Sequence, residues 1–366
     1  MDKLEKLFDD IHTPGHSSWL KHLTANEIHA MTAMPANEIE AIKEWLGSAG
    51  SNPTIKYNLA SGALQFTANI SVINQLFNTT MAIFTHKTKG KTGLAHIGSA
   101  YLPDRFVGKI EFADGLHWPL FTPDRRGGLN GTKAVNNTGS SRRLLQSSSA
   151  TTQVFPANSL YAYYNSDDQS SFVKSSSYQS NTSVSVIQFD ETYSVNDLAE
   201  YSSFWSTTQS NTTLRIDSVV GYNDGGSYGS GEASLDVQSL SSFNPKTSAN
   251  FENVGDGWIY DWAVNFVARE NIPQIVSISY GEIEIHYTDG AQGAGTSYDG
   301  IPPTMYLDRT NQLLMKIGAL GTTIIVASGD DGASSFNNPT CDYSNGLGLY
   351  SVFPATSPYV TSVGKE

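Results

Sequence analysis

The chain is short of positive charge, of charge in general, of cysteine and of long apolar runs, and each shortage removes a class of function. Lys and Arg number 22 against 35 Asp and Glu, a formal net charge of −13 over 366 residues. A nucleic-acid binder needs a basic face, so that class is excluded. Only 16% of residues are charged, against roughly 25% in an average domain, which argues against a charge-rich disordered chain. The single cysteine, Cys341, removes an internal disulfide framework and any cysteine-rich zinc site. No apolar run reaches the roughly 18 residues that a membrane helix needs. The opening MDKLEKLFDDIHTPGHSSW is polar and amphipathic, with no apolar core of a secretory leader. H-E-x-x-H and G-x-S-x-G are both missing, and GYNDGGSYGSG at 221–231 lacks the Lys-Ser/Thr of a phosphate loop. Seven of the eight histidines lie in the first 117 residues, leaving only His286 beyond them. A Ser-His-Asp triad inside the second part of the chain is therefore not expected.

What remains can fold. Hydrophobic residues make up 39% and aromatics 11%, and the length suits about two domains. Six N-x-S/T sequons occur, at Asn69, Asn78, Asn130, Asn136, Asn181 and Asn211. They are either chance in a Ser-, Thr- and Asn-rich chain or marks of a secretory route, in which case residues precede Met1.

Residues 1–122 read as a small α+β unit. Thr24-Ala25-Asn26-Glu27 is a capping-box pattern opening a short helix, and Pro35–Leu46 carries apolar Ile39, Ile42, Trp45 and Leu46 at helical spacing before Gly47. Two strand-like runs, Thr54–Leu59 and Ala63–Ala68, flank a Ser61-Gly62 turn. A short helix near Val72–Phe77 and a strand near Met81–Thr85 complete a ferredoxin-like arrangement. Residues 123–152 turn rich in Gly, Ser, Asn and Thr and read as a flexible linker. The linker holds the dibasic pairs Arg125-Arg126 and Arg142-Arg143, either plain solvated charge or a site of proteolytic cleavage. From 153 to 366 the pattern is α/β. Ser183–Phe189, Arg215–Val220, Gln274–Tyr280 and Thr322–Ala327 are strand candidates. Helices are expected from Ser194, over Glu232–Leu240 and over Tyr306–Leu320. Such alternation implies a doubly wound parallel sheet, with chemistry beyond the C-terminal strand ends.

Two places can carry chemistry. Glu232 and Asp236 are four residues apart, so a helix puts them on one face with no cation nearby in sequence to offset them. They are either a solvated acidic first turn or a carboxylate pair in which one group lifts the proton affinity of the other. Asp330 follows the strand TTIIVA in Ser328-Gly329-Asp330-Asp331-Gly332, either closing a turn or standing at the active edge of the sheet.

The motifs GEASLDVQ, SISYGE, YLDRTNQLLMKIGALGTTIIVASGDDGASS and FPATSPYVTSVG occur in the order found in sedolisins. The sequence thus resembles these serine-carboxyl peptidases, a family that includes kumamolisin and tripeptidyl peptidase I. The stretch from TPGHSSWLKHLTANEIHA onward is similar to the prodomain of that family. The resemblance implies a subtilisin-like fold, peptide or protein substrates, and a prodomain that acts as an intramolecular inhibitor. It implies Glu232 as general base, Asp236 as its support and Asp330 as the oxyanion-hole group, donating while protonated. Both roles suit an acidic compartment, lysosome- or vacuole-like or outside the cell.

The Ser-Gly-Thr-Ser-x-Ser nucleophile motif of the family is absent from these residues. The calcium site of the family is likewise expected beyond residue 366. This polypeptide is therefore expected to be an inactive piece of a longer protein, with Cys341 either paired to a downstream cysteine or a buried free thiol. The alternative is a non-catalytic pseudo-protease or binding protein of the same fold. A subtilisin-type protease with histidine as base is a weaker third reading.

Overall fold

A computed structural model describes residues 1–50, 53–85, 92–111, 113, 115–116, 180–208, 214–223, 229–243, 245–255, 257–283, 303–330, 332 and 351–364. The expected linker, the dibasic pairs, His286, Asp331 and Cys341 lie outside the described residues.

The first unit begins with a helix the sequence reading did not assign, α1 (Asp2–His12), which buries Leu4 and Ile11. The capping box at Thr24 is formed. Glu27 N–H donates to Thr24 Oγ1 at 3.3 Å and Thr24 N–H donates to Glu27 Oε2 at 2.8 Å, starting α2 (Ala25–Thr32). Burial of Ile39, Ile42, Trp45 and Leu46 gives α3 (Ala36–Gly47) the apolar stripe its spacing anticipates. Then come β1 (Thr54–Tyr57), β2 (Leu64–Thr67), α4 (Ile70–Leu76), β3 (Thr80–Thr85) and β4 (Thr92–Ile97). The ferredoxin-like expectation differs from what is seen. The strands pair as two separate antiparallel hairpins, β1–β2 and β3–β4, not as one four-stranded sheet. With only four residues each, β1 and β2 offer little ladder, and the hairpins meet through side chains. Phe66 stacks over Phe77 with ring centroids 6.3 Å apart, inside a core that includes Trp45, Leu46 and Phe106.

The second unit is a six-stranded sheet in the order β12-β10-β8-β5-β7-β6. Its strands are β5 (Ser183–Gln188), β6 (Ser218–Val220), β7 (Ser248–Asn253), β8 (Ile275–Ile278), β10 (Thr323–Ala327) and β12 (Thr361–Val363), and every pairing is parallel. A short antiparallel pair, β9 (Glu282–Ile283) with β11 (Val352–Phe353), stands apart. The helices are α5 (Val195–Thr208), α6 (Gly231–Phe243), α7 (Ile259–Val267) and α8 (Pro303–Ala319). Successive strand residues point to opposite faces, and the two cores follow that alternation. Ile187, Val276, Ile278, Ile324 and Val326 pack with α7 and α8. Val186 and Phe251 pack with α5 and α6. The doubly wound expectation therefore holds.

Helix α8 ends as its sequence anticipates. Gly321, at φ +104°, takes the left-handed position, its N–H donating to the Gly318 carbonyl at 3.0 Å while Thr322 N–H donates to Ile317 at 3.3 Å. On the α7/α8 side of the sheet, Glu252 is 2% exposed. Its Oε1 accepts from Arg269 Nη1 at 2.8 Å and from Ser185 Oγ at 2.7 Å. That buried pair ties β5, β7 and the end of α7 together. None of the helices among the described residues is long and apolar enough to cross a membrane.

Candidate active site

The parallel sheet gathers the C-terminal ends of β5, β8 and β10 at one edge. The register pairs Ile187 with Ile278 and Ile278 with Val326. One residue on, period-two alternation turns Gln188 and Ser279 toward the face covered by α6. There α6 buries Ala233 and Val237 completely, and Asp236, flanking that stripe, is carried against the strand ends.

Asp236 sits in a defined network. Gln188 Nε2 donates to its Oδ2 at 2.7 Å, and Ser279 Oγ donates to its Oδ1 at 2.8 Å. Tyr280 OH in turn donates to Gln188 Oε1 at 2.5 Å. Burial raises the Tyr280 phenol far above its ordinary range, and the charges of Glu191, Asp236 and Glu232 add to the effect. The phenol therefore stays a donor. That fixes the Gln188 amide with its oxygen toward Tyr280 and its NH2 toward Asp236. For Asp236 the causes oppose one another. Burial raises its proton affinity, the Ser279 and Gln188 hydrogen bonds lower it, and the Glu191 charge raises it again. The net result is a carboxyl pushed up from 3.8 to about 6. Burial outweighs two good donors.

The three expected residues are placed unequally. Glu232 lies in the first turn of α6, one turn before Asp236 and close enough to act electrostatically on Tyr280. Asp330 is exposed, three residues beyond β10 and after Gly329, whose φ of +98° makes the sharp turn. It shares the sheet edge, but no hydrogen bond among the described residues joins it to Asp236. The sequence alone does not mark Gln188, Glu191 and Tyr280 as members of the site, and it leaves open which carboxylate of the Glu232/Asp236 pair lifts the other. The charge that raises Asp236 is Glu191, just after β5, behind burial as the first cause. A signal was available, since all three lie at or just past the ends of recognisable strands. Among the described residues no group of three or more His, Cys, Asp or Glu is placed to hold a metal ion.

Comparison with known proteins points the same way along the whole chain. Residues 1–117 match the Pro-kumamolisin, activation domain. The whole chain aligns with Physarolisin of Physarum polycephalum at 29% identity, over 57% of that protein. It aligns with Tripeptidyl-peptidase 1 of Canis lupus familiaris at 25% and Tripeptidyl-peptidase sed4 of Aspergillus fumigatus at 23%, each over 59% of the relative. The chain is therefore similar to the sedolisin-type peptidases, with a stretch like their activation domain at its start. It spans less than two thirds of the length of these relatives. The match to a solved Pseudomonas sedolisin, complexed with two molecules of pseudo-iodotyrostatin, covers 52% of this chain and 50% of that one at 19% identity and a TM-score of 0.35. The fold rests on the sheet order above and not on that likeness.

Proposed function

We propose that residues 180–364 hold the carboxylate half of an acid serine-peptidase site, made as a zymogen with residues 1–117 as its inhibitory prodomain. The observation that carries this reading is Asp236, a carboxyl held near 6 by burial at the C-terminal edge of a parallel sheet. A carboxylate serves as base only when its proton affinity approaches the working pH. A proton resident on Asp236 in mild acid is available to a partner on the same helix face, and Glu232 is that partner.

In the proposed reaction a serine from beyond residue 366 attacks the peptide carbonyl, and its hydroxyl proton passes to Glu232. The tetrahedral oxyanion accepts a hydrogen bond from protonated Asp330. The C–N bond then breaks and Glu232 returns the proton to the leaving amine, leaving an acyl-enzyme that water hydrolyses with Glu232 again as base. Asp236, oriented by Gln188 and Ser279, positions and charges Glu232. The same reading makes the α/β unit subtilisin-like and the prodomain an opened variant of the ferredoxin-like pattern. It puts a calcium site beyond residue 366, through which no step here runs. It also places the protein in an acidic, secreted or lysosome-like setting, with the exposed Asn69, Asn78 and Asn181 as glycan acceptors.

The test is the pH profile of peptide hydrolysis by the protein carrying its downstream segment. Activity peaking at about pH 3–5, lost in Glu232→Gln and in Asp330→Ala, supports the reading. A neutral optimum, or full activity in Glu232→Gln, overturns it. Residues 1–366 alone are expected to give no turnover.

A further inference from the structure

The prodomain meets the α/β unit along α8, and one residue of α8 has no use within its own unit. Gly318 is helical and next to last in α8, where glycine weakens a helix relative to alanine. The left-handed stop that follows is supplied by Gly321, so Gly318 is not needed for the turn. A Cβ at Gly318 would stand 2.7 Å from Cε2 of Phe8 and 3.4 Å from its Cζ. Phe8 projects from α1 of the prodomain. Its ring is flanked by the His12 ring, centroid at 4.1 Å, and by the Tyr359 ring, edge-on at 5.2 Å. Around this contact Leu4 and Ile28 of the prodomain bury against Met315 and Ala319 of α8. Leu23 N–H donates to the Ala319 carbonyl at 2.8 Å. Close by, Lys316 is 6% exposed and its Nζ donates to the Ser61 carbonyl at 3.2 Å. It thereby holds the turn between β1 and β2, whose Ala60 is buried in the core of the α/β unit.

We infer that the outer face of α8 is a recognition surface for an amphipathic helix of the prodomain type, with Gly318 as the socket for Phe8 and Lys316 as the anchor for the β1–β2 turn. The inference rests on residues 1–117 being the prodomain, and on none of the catalytic roles proposed above. The socket lies at the strand-entry end of the sheet. Ala319 precedes the first residue of β10 by four positions, and β10 runs its whole length before Asp330 is reached. Docking here does not require the carboxylate edge, so the surface is an exosite. The matching ligand presents apolar residues spaced as Leu4, Phe8 and Ile11 and a carboxylate at the position of Glu5, which accepts from Tyr359 OH at 3.2 Å. A prodomain with tryptophan in place of Phe8 overfills the socket, and one with alanine leaves it empty.

Hydrogen exchange on the 1–366 chain tests this. Gly318→Ala is expected to speed exchange in the α1 amides by about tenfold while leaving the α8 amides unchanged or slower, because alanine favours the helix but collides with Phe8. In a Phe8→Ala background, the same change is expected to add nothing further. Glu232→Gln is expected to leave α1 protection intact. Unchanged α1 protection in Gly318→Ala overturns the inference. Loss of α8 protection in that variant overturns it too, as does full additivity of the two substitutions.

Discussion

The two faces of the α/β sheet bury polar groups in opposite ways. On the α7/α8 side, Glu252 is neutralised by a direct ion pair with Arg269. On the α6 side, the partners of Asp236 among the described residues are two neutral donors, with the carboxylate of Glu191 acting on it as well. The first arrangement pairs a buried charge through one oxygen, and the second leaves a carboxyl that resists ionising. An ion pair locks a charge state and suits structure. An amide and a hydroxyl around an acid leave its proton free to move with pH, which suits chemistry.

Removing Arg269 breaks this comparison most forcefully. Arg269→Ala leaves a buried carboxylate unpaired and is expected to cost about 3–5 kcal/mol at neutral pH, read by urea denaturation.

A second cation lies at the prodomain contact. Burial first, and the Arg309 charge second, lower Lys316 from 10.5 to about 8. Because the folded value lies below the unfolded one, the unfolded chain binds more protons between about pH 8 and 10. Stability is therefore expected to rise with pH in that window, by up to about 3 kcal/mol. Lys316→Met should remove the slope, and an identical slope in that variant would show that the amine is not buried as described.

Asp236 gives an effect of similar kind and smaller size. Its folded value, about 6, lies above its unfolded value of 3.8. The native state therefore holds the extra proton between about pH 4 and 6. Stability from this group is fully present below about 4 and is lost as pH rises through 6. Asp236→Asn, which can still accept from Gln188 and donate to Ser279, is expected to gain about 2 kcal/mol at pH 7 and to flatten that window. The smallest effect is local. Thr24→Ala removes the capping box of α2 and is expected to cost about 1 kcal/mol, confined to the prodomain and visible as faster exchange in the α2 amides.

Legibility in the sequence followed the same division. Regular periodicity and cap chemistry revealed α2, α3, α8 and β10, because each is decided by its own residues. Strand β7, SANFEN, was missed because its polar residues look like a loop until their partners are known. Glu252 finds Arg269, and Asn253 Nδ2 donates to the carbonyls of Glu191 and Tyr222 at 2.7 and 2.9 Å. Helix α7 hides for the opposite reason. It is apolar on nearly every side, burying Ile259, Trp262, Ala263, Val264, Phe266 and Val267, so no stripe stands out. That Glu232 and Asp236 share one helix was legible from their spacing. Gln188, Ser279 and Tyr280 were not marked as site residues, because a place at a strand end is a weak signal until the parallel register brings such neutral groups to one helix.

The proton on Asp236 is the centre of this account, and carboxyl-carbon NMR titration of the labelled side chain measures it directly. A midpoint near 6 is expected, moving when Gln188 or Ser279 is replaced. A midpoint at or below the ordinary 3.8 would contradict the account, since the site would then hold a plain anion throughout the acid range.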